Sequence, residues 1–231
     1  MSSNAKKIAI AAIVAAALGL GAFLYATRPI APPSDSTPQV ATPNVDIVQG
    51  QKAYRVDAAA SKVTFSLNEV LSGSPFLVVG ETNQVSADIA LDLTKPSASK
   101  IGIIKIDARG FKTDSTRRDG MIGRFILKSE DPATEFIVFA PKTLEGMPSA
   151  ISAGKSFTFK VKGDLTIAGV TKEATFDGTA TLGADGTLTG DAASSVQRAD
   201  YNLVIPNVPF VANVDQQVKV KIQFVAKPVT G

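Results

Sequence analysis

The side chains able to do chemistry in this sequence are few, and those it lacks are as telling as those it has. Among 231 residues there is no histidine, cysteine or tryptophan, which removes Ser-His-Asp and Cys-His nucleophiles and the common zinc ligand sets. No phosphate-cradling glycine loop and no dinucleotide fingerprint occurs either. Carboxylates remain. Asp114 and Asp119 could share acid–base work or a calcium ion, but aspartates in a loop leading into a helix ordinarily cap turns and helix ends, and that is the role expected of them. No catalytic residue and no metal site is assigned, and the chain reads as a binding protein, not an enzyme.

What the chain holds in quantity is apolar surface, with twelve phenylalanines against three tyrosines. It recurs at period two in Val63, Phe65 and Leu67, in Val85, Ala87, Ile89 and Leu91, in Phe157, Phe159 and Val161, and in Val218, Val220, Ile222 and Phe224. Lys219, Lys221 and Gln223 between the last set are polar. One wet and one dry face predict an antiparallel barrel or sandwich, since a parallel sheet would show continuous apolar runs. Leu165 and Ile167 before Ala168-Gly169, with Ala174 and Phe176 after it, predict a hairpin. Asp185-Gly186, between Thr181-Leu182 and Thr187-Leu188, predicts another whose turn needs positive backbone angles. The alternation stops between Asp114 and Phe125, where Asp114 or Ser115 would cap a short helix with Met121, Ile122 and Phe125 on its apolar side, plugging or flanking the barrel.

Ahead of these segments, Lys6 and Lys7 precede an uncharged apolar run from Ile8 to Ala26, long enough to cross a bilayer. A cleavage site at Ala17-Leu18-Gly19 would fall inside the run, so a signal anchor is expected over residues 1–28. Residues 29–50 are proline-rich and read as a linker, leaving 51–231 as the globular domain. The positive flank keeps the N-terminus cytoplasmic. The expected location is thus the cytoplasmic membrane, crossed once, with the domain on the periplasmic or cell-surface side. Lys6, Lys7 and Arg28 are three of the 24 basic residues, and the others balance the 21 acidic ones, which argues against nucleic acid as a partner. Ala15 and Gly19 share the small-residue spacing of a helix homodimer, although Phe23 interrupts it.

Four stretches, AYRVDAAASKVTFSL from Ala53, RGFKTDSTRRDGMI from Arg109, KGDLTIAGVTKEATF from Lys162 and VQRADYNL from Val196, together resemble the YceI-like family of bacterial periplasmic proteins. The resemblance runs from about Lys52 to Lys227. The chain departs from the family pattern in two places: the strand after the first loop, VVGETNQVSADIALD, lacks the aromatic usually found after its glycine, and no histidine occurs. The resemblance implies a lipocalin-like antiparallel β-barrel of about eight strands that holds an isoprenoid lipid, a polyprenyl chain or a prenyl quinone, without transforming it. Such a lipid would be the bound ligand; no cofactor is implied.

A barrel of this size either fills its interior with side chains or leaves a lumen for one small ligand. Alternation gives as lumen candidates Phe65, Leu67, Ile89, Met121, Phe125, Phe136, Val138, Phe159, Phe176 and Phe224. Arg117, Arg118 and Asp119 fall in one family stretch and Arg198 with Asp200 in another. Arg198 is a candidate head-group contact, while Arg118 and Asp119 are expected to bridge the helical segment to the strands. The alternative is a membrane-anchored interaction module with a filled core, whose proline-broken loop NLVIPNVPFVA would meet a protein or polysaccharide. An enzyme acting on prenyl lipids is a third reading, without a nucleophile or metal set to support it.

Overall fold

The computed structural model describes residues 45–229 together with Leu24, Tyr25 and Arg28. The anchor expected over 1–28 and the linker expected over 29–50 fall largely outside the described residues. Among the described residues no helix is long and apolar enough to cross a membrane.

The alternating segments form one antiparallel sheet. Its longest hairpin joins β9 (Ser156–Ile167) to β10 (Val170–Leu182) through Ala168 at φ 48° and Gly169 at φ 80°. Two consecutive left-handed residues give the turn whose twist matches that of its strands. Ser72 (φ 50°) and Gly73 (φ 83°) do the same between β2 (Lys62–Leu71) and β3 (Ser74–Thr82). The hairpin expected at Asp185-Gly186 forms, with Leu182 paired to Leu188 and Gly186 at φ 82°, while Asp185 is not left-handed. Asp185 instead accepts hydrogen bonds from the Thr187 N–H at 3.0 Å and the Thr187 hydroxyl at 2.9 Å, the local bonding that aspartate offers a turn.

β3 passes through Asn83 and Gln84 into β4 (Val85–Ser86), which pairs with β7 (Ile104–Asp107). β7 pairs with β8 (Phe136–Glu145), β8 with β9, β9 with β10, β10 with β11 (Leu188–Gln197), β11 with β13 (Gln217–Pro228), and β13 with β2, which pairs with β3. The pairings thus run from β4 round to β3, which is continuous in sequence with β4, and the curled sheet fits a lipocalin-like fold. A Glu81–Lys112 bridge and the Asp107 N–H donating to the Gln84 carbonyl at 2.9 Å span the interruption between β3 and β4. Outside the circuit, β1 (Gln51–Val56) pairs with the end of β13 and with β5 (Asp88–Asp92), which carries β6 (Lys100–Ile101). The face expected to run through Val85, Ala87, Ile89 and Leu91 is therefore divided between β4 in the wall and β5 in this flap.

Two apolar clusters occupy the interior. One gathers Tyr54, Leu91, Ile151, Ala180, Leu182, Leu188 and Ala226, with Ile89, Phe159 and Phe224 packed against it. The other is built on Val63, Ile106, Phe139, Leu165 and Phe176, and it is hollow.

Candidate functional site: an apolar cavity

Within the second cluster lies a cavity of about 510 Å³, inside the range of about 300–1,000 Å³ typical of small-molecule sites. Its wall follows from alternation. Val218, Val220 and Ile222 of β13 turn inward while Lys219, Lys221 and Gln223 are exposed. Val63, Phe65 and Leu67 of β2 do the same on the next strand. Phe65 meets Phe111 edge to face at 5.3 Å, and Phe139 meets Phe176 likewise at 5.0 Å, a favoured aromatic geometry.

A short helix borders the cavity: α1 (Thr116–Met121), capped by Ser115, whose Oγ accepts from the Arg118 N–H at 3.4 Å. It continues into one π-helical turn, Ile122–Ile126, closed by the Leu127 N–H donating to the Ile122 carbonyl at 2.8 Å. Met121 and Ile122 line the cavity as expected. Phe125 does not, and is 38% exposed; the wider turn, bonded i to i+5, carries Ile126 inward in its place.

Of the other candidates, Phe65, Leu67, Phe176 and Arg198 line the cavity. Phe136 and Val138 do not, and are corrected by one residue: Ile137 and Phe139 turn inward, fixed by the Ile106–Ile137 pairing of β7 with β8. Ile89 and Phe224 are placed against the Tyr54 cluster instead, and Phe159 packs against both clusters without lining the cavity. The sequence reading missed Leu203, Ile205, Val208 and Phe210, all lining residues from the loop it had offered to a protein partner.

Of the four charged residues that line the cavity, Glu69, Arg118 and Arg198 are tied into structure and Arg117 is not. Asp119 is buried, its Oδ1 accepting from both the Thr113 N–H and hydroxyl at 2.7 Å. Arg118 pairs with Asp114 and, at 3.3 Å, with the buried Glu69 of β2, and lies 5.1 Å from the Phe76 ring centroid; it fixes α1 to the wall. Arg198 donates through Nε, Nη1 and Nη2 to the carbonyls of Asp215 (2.8 Å), Leu203 (3.0 Å) and Val214 (3.1 Å). It ties both ends of the 203–214 loop to the end of β11. Arg109 bridges Asp107 and Glu135, and its hydrogen bond to Asp107 raises its already high pKa. Arg117, exposed at the cavity, has no hydrogen-bond or ion-pair partner among the described residues. Neither do those residues contain a cluster suited to a metal ion.

On the outer side of the helical segment, Arg124 donates through Nη2 to the Arg28 carbonyl at 2.9 Å and to Glu130 Oε1 at 3.0 Å. Arg28 reaches Glu130 at 3.1 Å, and the Arg124 guanidinium lies 5.0 Å from the Tyr25 ring centroid. The hydrogen bond from Arg124, opposed by partial burial and helped by Arg28, holds the Glu130 carboxyl below the usual carboxylate range.

Residues 54–226 match the family model of the YceI-like domain. No curated protein matches the sequence. Among solved structures, BcnA of Burkholderia cenocepacia is similar at 20% identity and TM-score 0.58, the match covering 74% of this chain and 99% of that one. A polyisoprenoid binding domain from Saccharophagus degradans, implicated in plant cell wall breakdown, is 14% identical with TM-score 0.61, over 77% of this chain and 99% of its own. A mutant YCEI protein of Campylobacter jejuni is 19% identical with TM-score 0.52, over 66% and 85%. These likenesses concern the fold, and two of the three chains are covered almost whole. With three quarters of its length inside the family match, the chain belongs to the YceI-like family.

Proposed function

We propose that this protein binds an isoprenoid lipid, a polyprenyl chain or a prenyl quinone, in its cavity and carries or sequesters it without chemical change. The observation that supports this best is the distribution of polarity: side chains of β2, β7, β8, β9, β10 and β13 make an apolar wall, while Arg117, Arg118, Arg198 and Glu69 are grouped on the α1 and 203–214 loop side. A long aliphatic chain gains about 0.8 kcal/mol per buried methylene and needs few polar contacts. The family assignment and the neighbour described as polyisoprenoid binding support the same ligand class. The N-terminal run would anchor the protein in the cytoplasmic membrane with the domain outside the cytoplasm. Size-exclusion chromatography after incubation with a prenyl quinone tests the binding reading: quinone absorbance should elute with the protein, and elution of quinone-free protein at every quinone concentration would refute it.

A further inference from the structure

Ser72, Arg117, Pro209 and Phe210 both line the cavity and stand in solvent, and so mark its mouth. Phe210 is 79% exposed and sits at φ 71°, a left-handed conformation that a bulky aromatic keeps only where its surroundings hold it. The hold is visible: the Ser72 N–H donates to the Phe210 carbonyl at 2.7 Å, and β12 (Val211–Ala212) pairs with the end of β2. Val204, in the same loop, is 72% exposed. The fold thus stiffens a loop in order to hold two apolar tips in water, which contributes nothing to its own core.

The geometry points to a docking surface for a lipid bilayer, with Phe210 and Val204 entering the boundary between head groups and acyl chains and Arg117 meeting an anionic lipid phosphate. An exposed aromatic and a cation without a partner among the described residues, both at the mouth, with exposed Val204 in the same loop, match the chemistry of a membrane interface; a stable protein partner would require a far broader surface, about 800 Å² per side. The N-terminal segment meets the helical segment that carries Arg117. Tyr25, in the apolar run that ends at Ala26, lies against Arg124, and Arg28 against Glu130, directly behind the turn whose Ile122 and Ile126 line the cavity. Docked in this way, the cavity receives its ligand from the bilayer without passage through water.

The inference rests on the lipid-binding reading, and the two fail separately. The fragment 45–231 holds every strand of the sheet, and two solved relatives are covered almost whole by the match. Because the chain has no cysteine, Val204→Cys can be labelled singly with an environment-sensitive fluorophore and mixed with phosphatidylcholine vesicles containing about one third phosphatidylglycerol. The emission should shift to the blue and the fragment should sediment with the vesicles, about tenfold less after Phe210→Ser and less again after Arg117→Glu. A label at Ile103→Cys, on the connection between β6 and β7, should not shift. Unshifted Val204→Cys emission and no sedimentation, in a fragment that still takes up prenyl quinone, would overturn docking and leave lipid binding standing. Vesicle binding by a fragment that takes up no quinone would leave docking standing and remove the carrier reading.

Discussion

Phe159 of β9 stands directly opposite Gly178 of β10, and its ring lies over the glycine where a Cβ would have to go. The same pairing recurs between Phe65 and Gly80 on β2 and β3, and between Phe224 and Gly190 on β13 and β11. A cross-strand aromatic lying flat on a glycine lets a sheet curl tightly while restoring the packing that the glycine lacks. Two of these rings sit on inward faces without lining the cavity: Phe224 packs against the Tyr54 cluster and Phe159 against both clusters.

Gly178→Ala should therefore destabilise the domain by about 1–3 kcal/mol, because the new methyl displaces a ring in a packed interior. Phe159→Ala should cost about 3–5 kcal/mol alone, and the double variant less than the sum of the two. Urea unfolding of all three proteins checks the relationship; strict additivity would show that ring and glycine are independent.

Ala168 pays for its left-handed φ of 48° with a Cβ clash that glycine escapes. Ala168→Gly is expected to raise stability by about 0.5–1 kcal/mol and Ala168→Asn by a similar amount, since Asn-Gly is the favoured pair for this turn. Loss of stability in both variants would contradict the turn assignment.

Val220 lines the cavity and Val138 does not. Val220→Trp, the first tryptophan in this chain, should occupy part of the cavity and weaken prenyl-quinone uptake about tenfold or more while emitting as a buried indole. Val138→Ala should leave uptake unchanged. Equal uptake by wild type and Val220→Trp would place the ligand elsewhere.

Arg198 offers a test of position against contact. Arg198→Gln removes main-chain hydrogen bonds at Asp215, Leu203 and Val214, each worth about 0.5–1.5 kcal/mol net and more to a charged donor. The 203–214 loop should become the first site of proteolytic cleavage, with or without ligand. A variant that keeps its loop protected but loses ligand would assign Arg198 a direct contact instead.

Glu130 links the N-terminal segment to pH. Its folded-state pKa is lowered, so the stabilisation from Arg124 and Arg28 is complete above the ordinary glutamate value of about 4.3 and is lost as pH falls through the lower folded value. The ring signals of Tyr25, one of three tyrosines, should shift in the NMR spectrum of the detergent-solubilised chain only below that range. Glu130→Gln should show the shifted signals already at neutral pH. Identical spectra for the variant and the wild type would mean the segment is held by other contacts.

The sequence disclosed phase where polar residues marked it. Lys219, Lys221 and Gln223 label the outer face of β13, and its inward residues were read correctly. In Phe136–Ala140 every residue is apolar, so period two has no phase, and the choice of Ile137 and Phe139 falls to the pairing with β7. Phe125 was misplaced for a different reason: a helical period was assumed where the backbone inserts a π-turn, which has no composition signal. The loop through Phe210 carries two prolines and no periodicity. Its apolar residues looked like a surface until the Arg198 clamp, invisible in sequence spacing, folded them over the cavity.

The most direct measurement is native mass spectrometry of the 51–231 domain expressed in a bacterial periplasm, followed by organic extraction. Lipid carriage predicts a bound mass that is released by solvent and identified as a polyprenyl lipid or prenyl quinone. A single mass equal to the polypeptide, unchanged after addition of prenyl quinone, would contradict it and leave a binding module that uses its surface alone.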